Sequence, residues 1–157
     1  MSTTQSIEFH GWQFRIDASG TLAAYSQWKG RRAEDCSCAY CRNWIAQRDA
    51  ECPAELRRFL EIVGVDPHKE AEVWQAGPLD GGYAFNSGWW HFIGQVEKKG
   101  PDTIQLEPQQ LGKGKDWSLS FFPEKVDLKI STLPNSPIIQ IEFAVSLPWV
   151  LAEKYPQ

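Results

Sequence analysis

Apolar and polar residues alternate at the start of the chain, and the phase breaks once. Ile7-Glu-Phe9 is apolar on odd positions and Trp12-Gln-Phe14-Arg-Ile16 on even ones, with Gly11 at the change. Successive side chains of a strand point to opposite faces, so a parity switch at glycine predicts a bulge in one strand or a bend between two. Ser19-Gly20 reads as a turn and Thr21 to Trp28 as the return strand of an antiparallel hairpin.

The period then lengthens. From Ser37 to Asp49 there is no Gly or Pro, and Cys41, Trp44, Ile45 and Arg48 fall on one helical stripe. Cys52-Pro53-Ala-Glu55 has the form of a second helix start, with proline at the first helical position and an acidic first turn. Leu56, Phe59, Leu60 and Val63 follow at helical spacing, and Gly64 supplies a left-handed stop. The two segments predict a helical hairpin, and Asp66-Pro67 a last turn before Ala71.

Strand patterns return at Glu72 to Ala76, Trp89 to Val96, Thr103 to Glu107, Trp117 to Phe122 and Ile138 to Leu147. Turns are marked by Gly77-Pro78, Asp80-Gly81-Gly82, Gly112-Lys-Gly114 and Leu133-Pro-Asn-Ser-Pro137. Trp89, His91 and Ile93 on one face, with Trp90 and Phe92 on the other, predict a central strand covered on both sides. The last strand places Ile139, Ile141, Phe143, Val145 and Leu147 inward, and Gln140, Glu142 and Ser146 outward. The expected fold is α+β: a predominantly antiparallel sheet, barrel- or sandwich-like in curvature, with an inserted helical hairpin. We expect residues 1–157 to form one domain, with residues 1–5 disordered.

Composition narrows the function classes. Hydrophobic residues at 42% and charged residues at 23% are ordinary for a folded domain. A net charge of −4 and pI near 5.4 argue against a nucleic-acid partner, which calls for a basic face. The one basic knot, Lys29-Gly-Arg31-Arg32, runs into Glu34 and Asp35 and reads as a solvated loop. The N-terminus lacks the charged and apolar regions of a secretory signal, and no apolar run suffices to span a bilayer. The expectation is no membrane partner and a cytoplasmic setting in which thiols stay reduced. Eight Trp, eight Phe and four Tyr suit a core or an aromatic platform, and core packing is the simpler use.

Against that background Cys36-Ser-Cys38-Ala-Tyr-Cys41 carries the densest chemistry. Three cysteines this close can share a zinc ion, which takes four ligands from Cys and His. Cys52 stands too far off, roughly 16 Å along a helix from Cys41 at 1.5 Å per residue. His91, in a covered strand, is the better fourth ligand, ahead of His10 and His68. Cys38-Ala-Tyr-Cys41 at a helix start also allows thiol redox chemistry, although a charged loop precedes it where oxidoreductases place a strand. The simplest account is packing: Cys38, Cys41 and Ile45 share a helix face, and free cysteine behaves as a small hydrophobe. Cys36 alone lacks a packing role.

No nucleophile elbow, phosphate loop or metalloprotease motif occurs, so the sequence offers no case for an enzyme. Trp89 and Trp90 would suit a ligand or partner surface if exposed, but layers on either side of a central strand account for them better. Together CSCAYCRNW, Gly64-Val-Asp66-Pro67, GWWHFIG and SLPWVL resemble a family of uncharacterised small bacterial proteins with a CxCxxCxN-aromatic segment and a GW-aromatic-HF motif. The resemblance spans roughly residues 36–151 and implies a bacterial cytosolic setting and one physical unit of cysteine helix and Trp-His strand. It implies no activity or cofactor. The functional expectation is a non-enzymatic domain that binds a protein partner or ligand. A zinc site at Cys36, Cys38, Cys41 and His91 is the alternative, and a thiol redox protein the third reading.

Overall fold

One long strand organises the molecule. The computed structural model describes residues 3–126 and 128–156, and β4 (Tyr83–Lys98) runs through its centre. Along one edge β4 pairs antiparallel with β7 (Ile138–Pro148), from Tyr83 opposite Pro148 to Ile93 opposite Ile138. Beyond β7 lie β6 (Lys115–Pro123) and the short β5 (Ile104–Gln105). The other edge of β4 is shared: β3 (Glu72–Ala76) pairs with 85–89, and β2 (Trp12–Ile16) with 94–98. β1 (Gln5–Phe9) closes that side, so part of the segment expected to be disordered, Gln5, opens a strand. The result is one seven-stranded antiparallel sheet with order β1-β2-β4-β7-β6-β5, open rather than closed into a barrel. The α+β class and the inserted helical hairpin stand as read.

The parity switch at Gly11 is a bend between two strands. His10 and Gly11 both take positive φ, 48° and 86°, and turn β1 back onto β2.

The expected return strand at Thr21 to Trp28 is instead a helix, α1 (Ala18–Gln27). Asp17 caps it, accepting from the Gly20 amide at 2.8 Å, and its buried residues Thr21, Ala24 and Tyr25 are spaced i, i+3, i+4. The helix fills the gap that β3 and β2 leave on the β4 edge. Tyr25 Oη donates to the His91 carbonyl at 2.9 Å and accepts from the His91 amide at 3.1 Å. Thr21 Oγ1 accepts from the Ile93 amide at 2.9 Å. Backbone groups that would be orphaned in the interior are thus satisfied by side chains of α1.

After the single turn α2 (Arg32–Asp35), the hairpin forms as expected: α3 (Ala39–Glu51) and α4 (Ala54–Val63). Pro53 occupies the cap position, one residue before the first helical one. Gly64 ends α4 at φ 85°, and a Cβ there would fall 2.3 Å from the Ala18 carbonyl oxygen. Glycine is therefore required both for the left-handed stop and for the close approach of α1.

The hairpin covers one sheet face. Phe59 of α4 meets Phe14, Phe92 and Phe121, and Trp44 of α3 lies parallel to Phe143 with centroids 4.8 Å apart. Burying each such ring contributes about 2–3 kcal/mol by area. The opposite face is covered by the connection from β6 to β7: Trp89 Nε1 donates to the Leu128 carbonyl at 2.8 Å, and Ile130 and Leu133 are buried. Gln140, expected to face outward, is consequently fully buried, because that face is covered too. No helix among the described residues is long and apolar enough to cross a membrane.

Candidate metal centre

Two helix caps in quick succession assemble the thiols. Cys36 ends α2, its amide donating to the Arg32 carbonyl at 3.2 Å, and takes an extended conformation. Ser37 links it to Cys38, the extended N-cap of α3, whose Sγ accepts from the Cys41 amide at 3.4 Å. Cys41 then lies in the first turn, on the stripe that faces the core. A helix end, one linking residue and a helix start thus turn three nearby cysteines toward a common point. Their Sγ atoms all lie within 4.8 Å of one another.

The surroundings hold this arrangement in place. Arg48 of α3 forms an ion pair with Glu34 of α2 and reaches Glu70 Oε1 and Oε2 at 3.0 and 3.1 Å. Glu70 is fully buried and also accepts from Trp44 Nε1 at 2.9 Å. Arg42 pairs with Glu153, and its Nε donates to the Ser37 carbonyl at 3.2 Å. Arg48 shares the helical stripe of Cys41, Trp44 and Ile45, and a charge on a buried stripe signals a buried carboxylate partner, here Glu70.

Cys41 is buried, at 8% exposure, while Cys36 and Cys38 are exposed. The packing account therefore holds for Cys41 and fails for Cys38, which caps the helix and stays exposed. The electrostatics differ likewise. The Cys36 thiol is held below its ordinary range, first by a backbone hydrogen bond from Cys38, then by the Cys38 and Cys41 thiols. Burial pushes the Cys41 thiol up, and its two neighbours reinforce that. A divalent ion binds cysteines as thiolates, and its charge would offset the cost of ionising the buried Cys41.

The donor set suits a thiophilic metal. Zinc–sulfur bonds of 2.3 Å in tetrahedral geometry put sulfurs about 3.8 Å apart, so the widest pair need close by only about 1 Å. The thiols open onto a hollow of about 260 Å³ lined also by Arg32, Glu72 and Gln75. Glu72, the first residue of β3, carries no motif that marked it in the sequence.

Cys52 caps the far end of α3, half-buried, and burial pushes its thiol up to about 11. It stands apart from the cluster, as the helix length required. His91 is not brought to the cysteines. It is fully buried on the opposite face of β4 from α3, with Nε2 3.0 Å from the Lys125 carbonyl and 2.8 Å from Gln140 Oε1. The parity that separates His91 from Trp90 and Phe92 puts it under the β6–β7 connection, so it is no fourth ligand. Trp89 and Trp90 do not form an exposed surface either. Trp90 is 2% exposed and its Nε1 donates to the Pro67 carbonyl at 3.3 Å, while Trp89 is half-buried beneath Leu128. The layered arrangement expected of a central strand accounts for both. No protein family, curated protein or solved structure matches this chain.

Proposed function

We propose that this chain is a binding domain whose ligand is a thiophilic divalent metal ion, zinc, held by Cys36, Cys38 and Cys41. The observation that carries the reading is the convergence of three reduced thiols within 4.8 Å at the junction of α2 and α3. Packing explains Cys41 but gives no reason for two exposed thiols to point at it. The ion's role in this reading is structural: it ties α2 to the start of α3. The depressed Cys36 thiol also favours a second reading, in which the cluster is a thiol redox centre.

Metal analysis of protein purified under reducing conditions without chelator separates the two. The metal reading expects about one equivalent of zinc per chain, retained against a weak chelator, and its loss in Cys36→Ser and Cys38→Ser. Less than about a tenth of an equivalent after reconstitution, with every thiol free, overturns it. Reversible disulfide formation without metal uptake would support the redox centre instead.

A further inference from the structure

We propose that Glu72 is the fourth donor of this centre, which makes it a three-thiolate, one-carboxylate site linking the helix junction to the sheet. The inference rests on the metal reading above and names its missing ligand. A tetrahedral zinc ion needs a donor beyond the three sulfurs, from protein or water. Among the described residues no other His, Cys, Asp or Glu joins the cluster itself. Glu72 is the acidic side chain on the wall of the same hollow. Its Oε1 accepts from the Val73 amide at 3.0 Å, which fixes the carboxylate, and among the described residues no hydrogen bond engages Oε2.

Placement on β3 matters. Glu72 sits opposite Trp89 in the ladder, and the Ala71 amide donates to the Trp89 carbonyl at 2.9 Å just before it. The carboxylate is therefore carried by a paired strand, whereas the thiols are carried by two helix caps and a first helical turn. A shared ion would join two elements that the chain separates by more than thirty residues. Three thiolates and a carboxylate leave the centre net negative, and Arg32, which also lines the hollow, is the cationic residue beside it.

Cobalt(II) in place of zinc, added to the reduced full chain, reports the donor set directly. Wild-type protein should show sulfur-to-cobalt charge transfer with the visible bands of a tetrahedral ion. Glu72→Cys should raise the charge-transfer intensity by about one third, because a fourth sulfur enters the shell. Glu72→Ala should weaken zinc binding by roughly tenfold or more, as a lost ligand costs at least what a lost supporting contact does. Glu72→Cys and Glu72→Ala spectra identical to wild type, with unchanged zinc affinity, overturn the assignment of Glu72 and leave the three-thiolate site standing. Failure of the wild type to take up cobalt or zinc removes the site and the assignment together.

Discussion

The buried imidazole of His91 gives a quantitative test that does not involve the cysteines. Both partners of its Nε2, the Lys125 carbonyl and Gln140 Oε1, are acceptors, and Gln140 is oriented by Nε2 donating to Glu142 Oε1 at 2.6 Å. The proton therefore sits on Nε2. Nδ1 is buried with no hydrogen-bond partner among the described residues, so a second proton finds no acceptor there. Burial pushes the His91 pKa down to about 4; Lys129 adds to this, while the hydrogen bonds and Glu142 oppose it. The unfolded chain titrates near 6.5. Above that value both states are neutral and His91 contributes no pH dependence. As the pH falls, the unfolded chain takes up a proton that the folded chain refuses. The resulting loss of stability is about 2 kcal/mol at pH 5 and about 3 kcal/mol at pH 4. Glu70, raised by burial, acts with the opposite sign, so the total curve mixes the two. The assay is urea unfolding of wild type and His91→Gln at pH 7, 6, 5 and 4, with chelator present throughout. The gap between them should shift by about 3 kcal/mol in favour of the variant over that range. A gap constant within about 0.5 kcal/mol, or an imidazole titrating near 6.5 by NMR in the folded protein, refutes the argument.

Two further outcomes follow from buried contacts. Arg48→Met leaves Glu70 in the interior with Trp44 as its main remaining partner, and should cost about 3–5 kcal/mol in urea unfolding; adding Glu70→Met should recover most of it. A double variant as unstable as the single one would show that packing, not the stranded carboxylate, sets the cost. Gly64→Ala must hold a left-handed conformation and meet the Ala18 carbonyl, so a loss of about 2 kcal/mol or more is expected from thermal melts. An unchanged melting temperature would mean that α1 yields freely at that contact.

Where the hydrophobic pattern had a single physical cause, the sequence was readable. The α4 stripe, its glycine stop, the strands β3, β6 and β7, and the 89–96 part of β4 follow from periodicity and turn residues, whereas the 83–88 part of β4 was not read. Helix α1 was misread because Leu22 and Ala23 interrupt any clear polar face, and its spacing of Thr21, Ala24 and Tyr25 is short. Its cap, Asp17 bonded to Gly20, lies where Ser19-Gly20 also reads as a turn. Gln140 was misplaced because alternation assigns faces without saying whether both are covered. At the candidate site, the grouping of Cys36, Cys38 and Cys41 was visible as spacing, and the exclusion of Cys52 followed from helix length. Glu72 was not visible, since its nearness depends on β3 pairing with β4 beside α2. His91 was misassigned because strand parity was not carried through to ask which face the cysteine helix covers.

The position of β7 has a consequence for how the chain is made. This strand, although late in the sequence, lies between β4 and β6 and pairs with both. Until residues 138–148 leave the ribosome, β4 and β6 each carry an unpaired edge. The earlier hairpin of helices can form by local contacts, but the sheet cannot be finished in the order of synthesis. A nascent chain stopped before β7 exposes two sticky strands at once, the condition under which edge-to-edge association competes with folding.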